Sequence, residues 1–252
     1  MTTFAVLGLG EAGSHYAAGL VRAGAAVQGY DPRVPATPDV VSTADAAQAC
    51  RGAQIVLSLN SSADALDALA QGLPGCAPGV LWAEMNTAAP ALKHAVDEAA
   101  GDRVRVVDVA IMAPVPPRGL FTPLTASGPH ARAFAGALRA FGVDVVIVEG
   151  PLGAAATRKL LRSVFYKGLA AAVTEALTAA HAADLEEWLH ANIADELTRA
   201  DASTVDRLVT GSRQHAVRRE QEMEAAAQLL DSLGVPARVS RASRDWLHDL
   251  AT

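Results

Sequence analysis

The chain has 252 residues, 51% of them hydrophobic and 19% charged, so it can hold one large domain or two modest ones and is too apolar for disorder. Its 27 acidic against 21 basic residues leave a net charge of −6, which argues against a general nucleic-acid binder, whose electrostatic attraction needs a basic surface. Mean hydropathy is +0.21, yet the long uncharged stretches are short or interrupted by Gly and Pro, as at Gly72, Pro74, Gly75, Pro78 and Gly79, so no membrane-spanning helix is expected.

The N-terminus MTTFAVLGLGEAG has no basic leader and meets Glu11 early, which reads as a strand and not as a signal peptide. Cys50 and Cys76 lack a paired spacing, so neither a disulfide framework nor a metal site is indicated, and the expected location is the cytoplasm. In chain order, Phe4 to Leu9 is an apolar strand and Glu11 to Arg22 a helix that Gly24 can end in the left-handed conformation. Ala25 to Tyr30, Ile55 to Leu59, Val80 to Ala83 and Val104 to Val109 are further strands, with helices over Ala63 to Gln71 and Pro90 to Ala100. A weaker strand–helix–strand passage runs through Pro123 to Ser127, His130 to Phe141 and Val143 to Val148. Strands alternating with helices predict an α/β, Rossmann-type doubly wound sheet, mainly parallel.

The pattern changes at Gly150-Pro151-Leu152-Gly153. Beyond it the chain reads as all helix, starting with one long helix from Ala154 to about Ala183, with Gly211 marking a break between later helices. The expected division is a sheet domain over residues 1–152 and a helical domain over 153–252. So thin an Ala-rich bundle buries itself poorly, which points to a homodimer through the helices. Trp82, Trp188 and Trp246 read as packing residues.

Gly8-Leu9-Gly10-Glu11-Ala12-Gly13 follows the first strand and opens the first helix. In a dinucleotide site Gly8 allows the tight turn, Gly10 lets the backbone approach a pyrophosphate, and Gly13 lets the helix pack closely. The helix N-terminus offers free N–H groups and partial positive charge. Asp31, at the end of the second strand, is placed to accept from ribose hydroxyls. Its charge favours NAD, while Arg33 two residues later leaves NADP open. His15, early in the same helix, is either near the phosphates or an ordinary surface residue.

The stretch GLGEAGSHYAAGLVRAGAAVQGYD resembles the N-terminal domain of the β-hydroxyacid dehydrogenases, the family of 6-phosphogluconate and 3-hydroxyisobutyrate dehydrogenases. Leu57-Ser58-Leu59-Asn60 is similar to the strand and loop that run beside the family's cofactor, which implies cofactor contacts for Leu59 and Asn60. Glu84-Met85-Asn86-Thr87 with Pro90 resembles the family's D-S-S-T-x-x-P stretch, implying the same for Asn86 and Thr87. Gly150-Pro151-Leu152-Gly153 followed by Lys159 resembles the entry to the helix that carries the catalytic lysine. MAPVPPRG and the short C-terminal part look closer to a 6-phosphogluconate-dehydrogenase-like branch with a small C-terminal domain. The likeness is strong to about residue 175 and loose beyond.

The resemblance implies an NAD(P)-dependent dehydrogenase or reductase acting on a small hydroxy acid or its keto or aldehyde form. Lys159 would exchange the substrate proton, and Ser163 stands where the family usually has asparagine. Lys167 follows one turn later on the same helical face, either as part of the site or as a solvated residue. Where the family commonly has D-A-P-V-S-G-G, the two prolines of Val115-Pro116-Pro117 remove N–H donors, and Arg118 either replaces that grip on an anionic substrate or is a surface residue of a rigid loop. His215 and Arg219, read as one helix face with Met223, either complete the site or belong to a charged solvated surface, while Arg218 and Glu222 can pair. The alternatives are an imine reductase on the same fold and a non-catalytic dinucleotide sensor.

Overall fold

Runs of Val, Ile, Leu and Ala, each too short for a stable helix, pair into a single eight-stranded sheet in the computed structural model, which describes all residues from Met1 to Thr252. The chain divides into two compact units, Met1–Arg162 and Ser163–Thr252. In chain order the first contains β1 (Thr3–Leu7), α1 (Glu11–Arg22), β2 (Ala26–Tyr30), β3 (Val41–Ser42), α2 (Ala46–Cys50), β4 (Ile55–Ser58), α3 (Ala65–Gly72), β5 (Leu81–Glu84), α4 (Pro90–Ala100), β6 (Arg105–Ile111), β7 (Leu124–Ser127), α5 (Ala131–Arg139), β8 (Val145–Ile147) and the first turns of α6 (Ala154–Ala182). The strand order is β3-β2-β1-β4-β5-β6-β7-β8, parallel throughout except where β6 meets β7 antiparallel. This is a Rossmann-type sheet extended by a second strand–helix–strand unit, and all-helical sequence follows it.

Alternation along each strand feeds two cores, one per face. Phe4, Val6, Ile55, Leu57, Val107 and Val109 face α1 and α5, meeting Tyr16, Leu20, Phe134 and Leu138. Ala5, Leu7, Val56, Trp82 and Val106 face α2, α3 and α4, meeting Ala49, Leu69 and Val96. Truncating a wholly buried ring here, as in Phe4→Ala, removes about 3–5 kcal/mol of stability. Helix α1 ends where the sequence indicates, with Gly24 at φ +89°. The strand β3 and helix α2 are short, and periodicity does not reveal them.

The second unit contains the rest of α6, then α7 (Glu186–Arg199), α8 (Ala202–Gln214), α9 (Ala216–Ser232) and α10 (Arg238–Ala251). Its core is small: Ala179, Ala227, Leu230, Val235 and Ala237. Glu175 of α6 caps α10, accepting from the backbone N–H groups of Val239 at 2.7 Å and Ser240 at 2.8 Å. Helices α7 and α8 bury no residue.

Two readings of the sequence are corrected here. Gly211 does not break a helix, because α8 continues through it to Gln214 and the junction falls at His215, whose φ of −121° leaves the helical range. Gly211 serves a different purpose: a Cβ there would stand 2.9 Å from Nη2 of Arg219, so the bare backbone makes room for the guanidinium. Trp188 and Trp246 are not buried packing residues but stand 63% and 67% exposed, the consequence of a bundle too thin to cover its own apolar side chains. Cys50 and Cys76 meet in space as free thiols: a hydrogen bond to Cys76, with burial, pushes the Cys50 thiol up, and the same bond draws Cys76 down.

Candidate active site

Strand β1 is flanked by β2 on one side and β4 on the other, so the strand order reverses at its carboxyl end, where an open α/β sheet leaves a crevice. Three glycines shape that end. Gly8 sits at φ +95° and donates its N–H to Tyr30 O at 2.9 Å; a Cβ on it would come within 2.4 Å of Leu59 O and 2.9 Å of Asn60 Oδ1. A Cβ on Gly13 would lie 1.8 Å from Gly8 O, so α1 packs on the turn only because that side chain is missing. Gly10 is the reverse case, with nothing within 4 Å of its Cβ position. The backbone is therefore crowded at Gly8 and Gly13 and open at Gly10, which also precedes the first helical residue, Glu11. Leu9 is buried, Ala12 half-buried and Glu11 exposed.

The Asp31 carboxylate secures this turn. Oδ2 accepts the Leu9 N–H at 2.8 Å, and Oδ1 accepts those of Arg33 at 2.8 Å and Val34 at 3.0 Å. Partial burial works to raise its proton affinity, but these three donors and the Arg33 charge outweigh it and hold the carboxyl below its ordinary range. Beside it lies a hollow of about 690 Å³ lined by Gly10, Asp31, Arg33, Leu59, Asn60, Asp64 and Asp67, among others. Arg33 pairs with Asp64 at 3.4 Å, so its guanidinium is already engaged, and three carboxylates face one cation. Asn60 donates to Ser58 Oγ at 3.0 Å.

The second cluster lies where β5 and β7 end against the middle of β6. Lys93 of α4 is wholly buried, and its Nζ donates to Asn86 O at 2.8 Å, Glu84 O at 3.0 Å and Glu84 Oε1 at 3.4 Å, with Asp108 Oδ1 at 3.6 Å. The other Asp108 oxygen accepts from Gly153 N, Ala156 N and Ser127 Oγ at 2.9–3.0 Å, and Ser127 Oγ accepts in turn from Ala155 N at 3.0 Å. The first N–H groups of α6, which no intrahelical carbonyl can serve, are thus satisfied from β6 and β7. One turn further along α6 is Lys159, half-buried. Burial, then the charges of Lys93 and Arg162, bring its pKa down from 10.5 to about 8.

Single oxygens of Glu84 (Oε2) and Asp108 (Oδ1) are buried here without a hydrogen-bond partner, and Asn86 is unserved at both of its polar atoms. It is 5% exposed, yet neither its Oδ1 nor its Nδ2 has a partner. An unserved buried carboxamide needs an explanation, and a ligand is the simplest one. A cradle open at Gly10, a hollow beside Asp31 and a free carboxamide at Asn86 together fit a dinucleotide. Thr87, next in sequence, is exposed.

The remaining residues singled out by sequence have surroundings of their own. Ser163 and Lys167 follow Lys159 along α6 but belong to the second unit. Arg118 lines a separate hollow of about 330 Å³ with His15 and Arg22, held there by a turn in which Gly119 N–H donates to Val115 O and Leu120 lodges over Gly19. His215 occupies the α8–α9 junction, and Arg219 donates to Ser212 Oγ at 3.2 Å. Arg218 pairs with Glu222 as its spacing indicates. Sequence reasoning overlooked Lys93 and Asp108. The signal for Lys93 was composition: the chain has only three lysines, Lys93, Lys159 and Lys167, against 18 arginines. In a chain whose cations are mostly arginine, each lysine stands out.

The NAD binding domain of 6-phosphogluconate dehydrogenase matches residues 3–113, and the domain of unknown function DUF1932 matches residues 180–250. No curated protein matches the chain. A conserved hypothetical protein from Sinorhizobium meliloti 1021 has 30% identity over 98% of this chain and 88% of its own, with a TM-score of 0.63. A conserved protein of unknown function, described as structurally similar to 3-hydroxyacid dehydrogenases, has 24% identity over 98% and 97%, with a TM-score of 0.60. The imine reductase from Myxococcus stipitatus, solved with NADP+, shares the fold at 16% identity over 98% and 93%, with a TM-score of 0.79. Residues 3–113 thus belong to the NAD binding domain family of 6-phosphogluconate dehydrogenase and residues 180–250 to DUF1932, so the first unit carries an NAD-binding domain.

Proposed function

We propose that the chain is an NAD-dependent oxidoreductase that interconverts a small hydroxy acid and its keto or aldehyde form, with Lys159 exchanging the substrate proton. The observation that carries this reading is Lys159 itself. It is a half-buried amine with a pKa near 8, held by the buried cluster that fixes the head of its helix, in a chain with an NAD-binding domain. When bound, the nicotinamide supplies or accepts the hydride. In the oxidative direction the neutral Lys159 Nζ takes the hydroxyl proton, and in the reductive direction the ammonium returns it to the developing alkoxide. A pKa near 8 serves both directions near neutral pH.

On this reading, the backbone N–H groups of Gly10, Glu11 and Ala12 receive the pyrophosphate, with Gly8 and Gly13 shaping the turn and Leu9, whose own N–H is taken by Asp31, holding the loop beside it. Asp31 receives a ribose hydroxyl, Leu59 and Asn60 flank the cofactor, and Asn86 and Thr87 meet its polar groups. NAD is favoured over NADP because a 2′-phosphate would enter a hollow with three carboxylates whose one arginine is already paired. Ser163 and Lys167 are assigned to the substrate side of α6, and Arg118, His215 and Arg219 to recognition of an anionic substrate. The division of labour follows the domains, with dinucleotide binding in residues 1–152 and substrate binding and dimerisation in 153–252. Homodimerisation is supported by Leu161, Val164, Phe165 and Leu169, which recur at helical spacing on α6 and are 36–74% exposed.

Reduction of an imine is the second reading, since several chains that share the fold are imine reductases. A lysine amine at position 159 favours alcohol chemistry. Titration of cofactor-free protein with NADH and with NADPH, followed by nicotinamide fluorescence, tests the first step. Saturable NADH binding is expected, and absence of binding by either overturns the proposal. Hydroxy acids and cyclic imines, assayed side by side, then separate the two chemistries. Light scattering at the dimer mass is expected, and a monomer would remove the second unit's assembly role.

A further inference from the structure

Only three side chains in this protein can present a primary amine, and one of them, Lys93, is sealed in the interior. Burying an ammonium is unfavourable unless its donors are met and its charge opposed. Both conditions hold: three acceptors lie within 3.4 Å of Nζ, and the carboxylates of Glu84 and Asp108 lie within 3.6 Å. Packing alone would have been served better by leucine or methionine at this site. The arrangement leads directly to Lys159. Lys93 faces Asp108, whose other oxygen takes the N–H groups of Gly153 and Ala156, and Ala156 is three residues before Lys159 on the same helix. Pro90 opens α4 and packs so closely on Gly153 that a Cβ there would come within 2.7 Å of Pro90 Cβ, so the starts of α4 and α6 are locked together.

We propose that Lys93 is a positioning residue for Lys159, acting through Asp108 on the first turn of α6 and through its own fixed charge on the amine. The assignment rests on the reading of Lys159 as the proton-exchanging group and adds how that group is controlled. The charged groups packed around this part of the first unit are Lys93 from α4, Glu84 from β5, Asp108 from β6 and Arg162 from α6 itself. Two are cations that oppose a positive charge on Lys159; of the carboxylates, Glu84 and one oxygen of Asp108 lie against Lys93, and the other Asp108 oxygen lies against the first N–H groups of α6. Removing Lys93 therefore makes Lys159 easier to protonate. Neutralising Asp108 leaves Lys93 less compensated and makes Lys159 harder to protonate. A merely structural role moves neither quantity in opposite directions.

The test is a direct titration of Lys159, independent of turnover. Protein labelled with 13C at lysine gives only three Cε signals, which substitution of each lysine by arginine or methionine assigns. In the native chain the Lys159 signal is expected to titrate near pH 8. In Lys93→Met the midpoint should rise by about one pH unit or more. An unchanged midpoint in a folded variant overturns the proposal. Since that variant leaves two carboxylates unpaired and can fail to fold, Asp108→Asn is measured beside it; this change keeps the side-chain volume and an acceptor for the α6 N–H groups. There the midpoint should fall, and a rise or no change overturns the proposal. Should the opposite shifts appear while Lys159→Ala keeps full turnover, the coupling stands and the catalytic role of Lys159 falls, so the two failures are distinct.

Discussion

The Asp108 carboxylate, midway along β6 and opposite the last residues of β5 and β7, accepts the backbone N–H of Gly153 at 3.0 Å, across 45 residues of sequence. This bond joins the sheet to the entry of α6 and so fixes where Lys159 emerges. Its partners are buried, which makes its loss costly in a way that a surface pair would not be. Asp108→Ala leaves Lys93 with one carboxylate and the α6 N–H groups with none, and should cost about 3–5 kcal/mol. Ser127→Ala removes one acceptor for Ala155 and one donor to Asp108 and should cost about 1–2 kcal/mol. Urea unfolding followed by circular dichroism gives both values, and a loss at Asp108 below that at Ser127 would contradict the clamp.

The two glycines Gly10 and Gly13 make opposite predictions although they share one motif. Gly13→Ala places a methyl 1.8 Å from Gly8 O, so α1 must lift from the turn. A loss of stability at the upper end of the overpacking range, about 3 kcal/mol, is expected, with loss of NADH binding. Gly10→Ala meets no atom within 4 Å in the protein, so its stability should change by no more than about 1 kcal/mol. Its added methyl stands on the side left for the pyrophosphate, so NADH affinity should still fall by about tenfold or more. Thermal melts set against fluorescence titrations separate the two effects, and unaltered NADH affinity in Gly10→Ala would move the cradle elsewhere.

Cofactor choice is written in Arg33 and its neighbours. Asp64 now occupies the guanidinium at 3.4 Å, and Asp31 adds a second negative charge to the same hollow. Asp64→Ala frees Arg33 and should tighten NADPH by about tenfold while leaving NADH within about twofold. Asp31→Ala should weaken NADH more than NADPH, and it also strips the donors of Leu9, Arg33 and Val34 of their acceptor, so the turn itself loosens. Parallel titrations with both cofactors check these signs. An NADPH affinity insensitive to Asp64 would show that Arg33 does not reach a 2′-phosphate.

Much of the first unit is legible in sequence because buried parallel strands read as short apolar runs and their ends carry glycine. The Gly8 turn, helix α1 and the paired passage β7–α5–β8 follow from such local patterns. Strand β3 does not, since its two residues are exposed and no apolar run marks it. The clamp on α6 is invisible for another reason: Glu84, Lys93, Asp108 and Ser127 are scattered over 44 positions, each unremarkable alone, and only the sheet register brings them together. In the second unit Gly211 misleads because glycine is read as a breaker, whereas here it clears space for a side chain of the next helix. Trp188 and Trp246 mislead because a large apolar residue is read as core even where the chain alone has too little core to receive it.

The pH dependence of turnover offers the sharpest test of Lys159. Its ammonium is disfavoured first by burial and then by the charges of Lys93 and Arg162, which bring its pKa to about 8. Oxidation needs the neutral amine, so its rate should rise with pH and level off above about 8. Reduction needs the ammonium, so its rate should be level below about 8 and fall tenfold per pH unit beyond. The same group has a stability consequence of definite sign. Its proton is held less tightly in the folded chain than in the unfolded one, so stability should increase with pH between about 8 and the ordinary value of 10.5. Lys159→Ala should lower turnover by about 100- to 10,000-fold and leave NADH affinity nearly unchanged. Lys159→Arg, which cannot give up its proton, should remove the rise with pH in the oxidative direction. Initial rates across pH in both directions decide the matter, since a profile with one midpoint and opposite slopes requires a single proton on a single group, and identical profiles in Lys159→Ala and the native chain would assign that proton elsewhere.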